Sequence, residues 1–147
     1  MLVTDKNKLR EQSLDWKGSM KDLEKLVDDM GEVMEEANGI GISAIQIGQP
    51  VRVFIAGKDP HLFINPKIVT KSSFTKKDWE GCLSCPGAHV RVSRSHTITL
   101  KYDTVSEGIY YKDIKRKFTG FDARVVQHEL DHLNGFLIID RGKTYQE

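Results

Sequence analysis

Apolar residues recur along this chain in two helical rhythms separated by a stretch of alternation. Met20, Leu23, Val27, Met30, Met34 and Ala37 fall at i, i+3 and i+4 spacing, which puts them on one face of a helix. Ser19 and Asp22 have the spacing of a capping box at its start, and Asn38-Gly39 marks its stop. The methionines in this stripe read as core rather than as a flexible groove. A second helix is predicted between Thr119, with Asp122 as its capping partner, and the stop Asn134-Gly135. Ala123, Val126, Leu130 and Leu133 form one stripe on it, and Phe121, Val125, His128 and His132 form another. Such a helix should be buried on two faces. Between the helices, residues 51–56, 63–64, 68–74, 90–92, 97–102 and 109–118 read as strands, with Ser106-Glu107-Gly108 as a turn before the last. Residues 1–18 are polar and are expected to wrap the surface. Strands gathered between an early and a late helix predict an α+β fold, mainly antiparallel sheet packed around the late helix, rather than alternating βαβ units. One domain over residues 1–147 is expected, without repeats, linkers or low-complexity tracts.

The second helix also carries the strongest chemical signal, His128-Glu129-Leu130-Asp131-His132. Two histidines four apart lie one turn apart on one face, so both rings can reach one metal ion. The glutamate beside the first can take a proton from water at that ion. The bland reading is a chance H-E-x-x-H on a solvated helix, and the two apolar stripes argue against it. A catalytic metal needs a third protein ligand. The pattern His132-Leu133-Asn134-Gly135 begins a known downstream ligand motif, but its final slot is Ile138. The only acids after His132 are Asp140, which is too close along the chain, and Glu147 at the terminus. The third ligand is therefore expected upstream, among Cys82, Cys85, His61, His89 and His96. The setting Trp79-Glu80-Gly81-Cys82-Leu83-Ser84-Cys85-Pro86 favours Cys82.

A third segment, Gly39-Ile40-Gly41-Ile42-Ser43-Ala44-Ile45-Gln46, is glycine-spaced and ends on an amide. With it the chain resembles the peptide deformylase family. That family carries G-x-G-[LI]-[AS]-A-x-Q, E-G-C-[LI]-S and H-E-x-D-H in this order. The resemblance covers roughly Lys8 to Asp140, including the lead-in from Gly120 to Gln127. It implies Cys82, His128 and His132 as metal ligands and Glu129 as general base and acid. It implies Gln46 and the Leu83 backbone N–H as donors to the oxyanion. Ile40, Gly41 and Gly81 would be main-chain partners of a bound peptide, and Ile40, Phe121, Val125 and the His128 ring would line a pocket for its first side chain, methionine. The implied cofactor is one divalent ion, Fe²⁺, replaceable by Ni²⁺, Co²⁺ or Zn²⁺. The implied substrates are N-formylmethionyl peptides, with ribosome-associated nascent chains as their source. The implied reaction releases formate and leaves a free amine.

The chain departs from the family at several positions. Ile45 fills a slot often held by proline, Asp78 stands where an apolar pocket residue is common, and His89 stands where some members have arginine. Asp78 is expected to turn to solvent, because an unpaired charge beside apolar walls is costly. The chain also ends twelve residues past Gly135, without the C-terminal helix of many bacterial members, which leaves ribosome docking through such a helix without support.

Composition narrows the setting. At 147 residues the chain can bury about two-thirds of its unfolded surface. A net charge of +1 gives no electrostatic footprint for nucleic acid or membrane. The basic run from Lys112 to Lys117 reads as a strand with a solvated face. No apolar run reaches the ~20 residues of a membrane helix, and the start lacks a signal-peptide region. A cytoplasmic monomer is expected, in which Cys82 stays reduced. Cys82 and Cys85 form a single C-x-x-C with neither a second copy nor a βαβ setting, so Cys85 is expected to be a non-ligand. His61 and His96 are expected to be exposed. Two other readings are weaker. A different metallohydrolase would leave the G-x-G…Q and E-G-C-L-S segments unexplained. A metal-stabilised, non-catalytic protein would fit the loss of Glu129 or Gln46, and both are present.

Overall fold

A computed structural model describes residues 1–144; the downstream acid Glu147 considered above lies outside them. The elements in chain order are α1 (Lys6–Leu9), α2 (Met20–Glu36), β1 (Gly41–Ser43), a 3-10 turn (Ala44–Ile47), β2 (Val53–Ala56), β3 (His61–Lys71), β4 (Thr75–Glu80), β5 (Val90–Ser95), β6 (Thr97–Ser106), β7 (Ile109–Thr119), α3 (Gly120–Leu133), a 3-10 turn (Ile138–Asp140) and β8 (Gly142–Thr144). They build an antiparallel sheet in the order β1-β2-β3-β6-β7 and a smaller one in the order β4-β5-β8. The expected α+β architecture holds.

The larger sheet is covered on both faces. Phe54, Ala56 and Phe63 point into a core with Ala123, Val126, Leu130 and Leu133 of α3. Val53, Ile55 and Ile64, the alternate residues, point into a second core with Leu23, Leu26, Met30 and Met34 of α2. Side chains alternate across a strand, so a strand between two helices must be apolar throughout, as β2 is. Each such side chain contributes about 1.5–3 kcal/mol when fully buried. Leu26, outside the predicted α2 stripe, joins this core, while Met20 and Val27 only border it. Ser19 caps α2 as expected, its Oγ accepting from the Asp22 N–H. The helix runs to Glu36 and the chain turns away at Asn38, at φ +54°, within the expected Asn38-Gly39 stop.

Several expectations need correction. The polar N-terminus is not only a surface wrap. Asp5 caps α1 by accepting from the Asn7 and Lys8 N–H groups, and Leu9 is fully buried beside Cys85 and Leu137. Thr119 makes no side-chain cap for α3. Instead β7 runs into the helix through Gly120, at φ +59°, whose N–H donates to the His96 carbonyl. Phe121 is 62 % exposed, so the second stripe of α3 is buried only from Val125 onward. The expected strands over 63–64 and 68–74 are one strand, β3, and the strand that follows it was not expected. β3 stops at Lys71, the Ser72 hydroxyl donates to the Phe74 carbonyl in the turn, and β4 follows. Nearly all of β4 is exposed, so no apolar alternation announces it.

Gly135 closes α3 at φ +81°, where a Cβ would stand 2.4 Å from the Arg10 carbonyl oxygen. Helix end and α1 can therefore meet only through glycine. Gly135→Ala is expected to lower stability in denaturant unfolding by more than about 1 kcal/mol. Gly31→Ala, with open space around an interior helix position, should instead raise it by about 0.5–1 kcal/mol. Equal stability of the Gly135 variant and the unaltered protein would show that this approach is not a constraint.

Candidate metal centre

His128 and His132 lie one turn apart on α3, their rings edge-on with centroids 5.1 Å apart. Cys82 comes from the loop after β4, and its Sγ lies 3.3 Å from His132 Nε2. One donor atom from each of the three residues lies within 4.8 Å of the others, close enough to share an ion bound at roughly 2.0–2.3 Å from each ligand. One sulfur and two imidazole nitrogens also suit a divalent ion of borderline softness. Burial, reinforced by the charges of His128 and Arg94, lowers His132 to a pKa of about 3, so its ring is neutral at physiological pH and free to ligate. Contact with Cys85 and burial push the Cys82 thiol up. A bound cation would reverse that shift by stabilising the thiolate. The residues present thus fit a metal.

His128 is oriented by a carboxylate that the sequence reading left without a role. Glu80 Oε1 accepts from His128 Nδ1 at 2.9 Å, which leaves Nε2 free to ligate. Glu80 also accepts from Arg94 Nε at 3.0 Å and Nη2 at 2.9 Å, and from Arg124 Nη1 at 2.6 Å. Arg94 reaches on to Asp131, which Arg141 grips through two bonds. Burial alone would raise the Glu80 pKa; the bonds from His128 and Arg94 outweigh it and hold the carboxyl well below the usual range. Burial lowers and Glu80 raises the pKa of His128, with a net upward shift. Only the position of Glu80 inside E-G-C-L-S could have flagged it; Arg94 stands in no motif, and Arg124 only in the lead-in to the helix.

Glu129 is buried beside the ligands. Its Oε1 accepts from Ser43 Oγ at 3.1 Å, and its pKa is raised chiefly by burial. Gly41 permits this approach, since a Cβ there would lie 2.6 Å from Glu129 Oε2. Gln46 is fixed by its own turn, with Oε1 accepting from the Ser43 N–H at 2.9 Å. Its Nε2 donates to Ser84 Oγ at 3.1 Å and lies 3.9 Å from Cys82 Sγ.

These groups face a cavity of about 450 Å³ lined by Ile40, Gly41, Gln46, Gly81, Cys82, Leu83, Phe121, Val125, His128 and Glu129, among others. All the peptide-contacting positions expected from the sequence are on that wall, and His132 sits behind it, buried. A larger groove of about 1360 Å³ runs along α2 and contains none of the ligands, so volume alone does not mark the site. Asp78 is exposed and off the wall, as expected, while His89 lies on it. Cys85 is buried outside the ligand set. His96 is exposed, but His61 is not: its Nε2 pairs with the Tyr102 hydroxyl at 3.0 Å and its ring stands edge-on to Phe63.

Comparison with known proteins agrees with this geometry. The family model for polypeptide deformylase matches residues 1–147. A peptide deformylase of Rhodopseudomonas palustris (strain TIE-1) is 39 % identical over 149 residues, covering 95 % of this chain and 83 % of that protein. One from Rhizobium meliloti (strain 1021) is 43 % identical over 126 residues, 81 % of this chain and 70 % of its own length. Among solved structures, peptide deformylase from Thermotoga maritima superposes with a TM-score of 0.89 at 35 % identity, covering 97 % of each chain. A probable peptide deformylase from synechococcus phage S-SSM7 does so with 0.87 at 37 % identity, covering 96 % of this chain and 98 % of that one. The chain therefore belongs to the polypeptide deformylase family, and it is a hydrolase that removes the formyl group from the N-terminal methionine of peptides.

Proposed function

We propose that deformylation here depends on one divalent ion held by Cys82, His128 and His132, with Glu129 carrying the proton. The observation that supports this most is the meeting of the three donor atoms within 4.8 Å, beside a buried carboxylate oriented by Ser43. When bound, the ion supplies Lewis-acid polarisation and makes water acidic enough to react near neutral pH. Glu129 accepts the proton of the attacking water and passes it to the leaving amine nitrogen. The Gln46 amide and the Leu83 N–H donate to the oxygen on which negative charge develops, and one such donor is typically worth ~10²–10³ in turnover. Ile40, Gly41 and Gly81 offer main-chain partners to an extended peptide. Ile40, Phe121, Val125 and the His128 ring form the apolar slot for methionine. By the family resemblance we assign Fe²⁺ as the native ion, with Ni²⁺, Co²⁺ and Zn²⁺ as substitutes that imidazole and thiolate also accept. The reading extends to a single catalytic domain acting as a cytoplasmic monomer on chains leaving the ribosome. In keeping with it, no helix among the described residues is long and apolar enough to cross a membrane.

The direct test is formate release from a formyl-Met peptide by protein loaded anaerobically with Fe²⁺. Formyl-Met should outrun formyl-Ala by ~10–200-fold in kcat/KM, the scale of a few buried methylenes. Acetyl-Met should react poorly, because it puts a methyl where the formyl group has a hydrogen, crowding the carbonyl carbon between the proposed donors Gln46 and Leu83. A flat profile across this series would remove the pocket assignment.

Glu129→Gln preserves shape but cannot accept a proton. It is expected to retain the ion and lose ~10²–10⁴ in turnover. Substantial activity of the metal-loaded variant at neutral pH would take the proton role away from Glu129.

Glu80→Gln should weaken metal binding ~10–100-fold, the usual effect of losing a carboxylate that orients a ligating histidine. Competitive titration with a chelator measures this, and an unchanged Kd would mean that His128 needs no such orientation.

A further inference from the structure

The mechanism leaves one buried nucleophile unused. Cys85 is 7 % exposed, and it and Cys82 are the only cysteines in the chain. The two stand at the ends of a tight turn closed by a 3.0 Å bond from the Cys85 N–H to the Cys82 carbonyl. A turn of this kind holds its end Cα atoms within about 7 Å, and disulfides span roughly 4.4–6.8 Å between Cα atoms. Cys82 packs on the small cluster of Leu9, Cys85 and Leu137, and both cysteines line the substrate cavity, which gives a small oxidant access. No βαβ unit surrounds them, so a role in reducing other proteins has no support.

We propose that Cys85 is a resolving cysteine, and that under peroxide Cys82 and Cys85 close a reversible disulfide that disarms the metal site and spares its sulfur ligand. The inference rests on the assignment of Cys82 as a metal ligand. The chemistry balances with a hydroperoxide as the oxidant. The Cys82 thiolate attacks one oxygen of hydrogen peroxide, an S–O bond forms as the O–O bond breaks, and the other oxygen leaves as hydroxide, which takes a proton from solvent to become water. The Cys85 sulfur then attacks the sulfenic sulfur of Cys82; the S–S bond forms and the hydroxyl leaves with the Cys85 proton as a second water. Two electrons pass from the two thiols to one peroxide. Without Cys85, further peroxide would carry Cys82 to sulfinic and sulfonic acids, which thiol reductants do not reverse. The disulfide removes the thiolate donor, so the ion is lost as the bridge forms.

The test treats the metal-loaded protein with hydrogen peroxide, then follows titratable thiols, bound metal and the mass of the tryptic peptide spanning residues 78–91, which holds both cysteines. In the unaltered protein this peptide should lose two hydrogens, both thiols should disappear and the ion should be released. Dithiothreitol followed by fresh metal should restore thiols, metal content and turnover. Cys85→Ser should bind metal when reduced, but its Cys82 should gain two or three oxygens and recover nothing on reduction. Oxygen addition to Cys82 in the unaltered protein, without a bridge and as fast as in the variant, overturns the proposal. So do thiols that survive peroxide sufficient to oxidise free cysteine. The mass of the unaltered peptide decides the question even where the variant folds poorly. Metal content of reduced Cys82→Ala tests the ligand assignment separately: metal retained there sinks that assignment and leaves the thiol result standing.

Discussion

Glu80 is the carboxylate on which the alignment of two separate elements depends. It ends β4 and accepts bonds from Arg94 of β5 and from Arg124 and His128 of α3. Taking a carboxylate out of water costs several kcal/mol, and only good geometry with full hydrogen bonding offsets that. Here burial would raise its pKa, and the cationic partners still hold the group ionised. Two arginines and a histidine converging on one anion fix where the small sheet meets the metal helix. Cys82, two residues beyond Glu80, is thereby delivered to His132. Removing one partner of such a buried cluster typically costs about 3–5 kcal/mol, because the others remain charged and unpaired.

A second constraint acts on the opposite wall of the cavity. β1 passes so close to α3 that Gly41 has no room for a side chain beside Glu129. Ser43 on the same strand bonds the carboxylate, and the turn that follows folds Gln46 back onto the Ser43 N–H. One short segment therefore positions Glu129 and Gln46, the proposed base and the proposed amide donor, together. Its rigidity comes from the sheet: β1 pairs with β2 from Gly41↔Ala56 to Ser43↔Phe54, and Ile42 is buried in the α2 core. Positioning to within fractions of an ångström matters for chemistry more than raw affinity does.

The peroxide switch inferred for Cys85 draws on the same architecture. The turn from Cys82 to Cys85 is held on one side by Glu80 and β4, and on the other by Leu9 and Leu137. An apolar N-terminal contact that looks merely structural thus helps keep the second thiol beside the first.

Helical periodicity, capping residues and the three short motifs were enough to determine the two long helices, the α+β class and the candidate ligand pair on α3, and the family resemblance named part of the cavity wall. These are local signals: spacing on a helix sets which side chains share a face, and a motif sets which groups sit within a few bonds of one another. Other features became visible only in three dimensions. β4 is solvated on nearly all its positions, so nothing in its own composition marks it as a strand. Leu9 is buried beside Cys85 and Leu137, far along the chain, and His61 packs on Phe63 and Tyr102. The Glu80 cluster joins three arginines and an aspartate spread from β4 to the far side of α3. Charge pairing across such sequence distances has no periodic trace, because it depends on where packed elements come to rest.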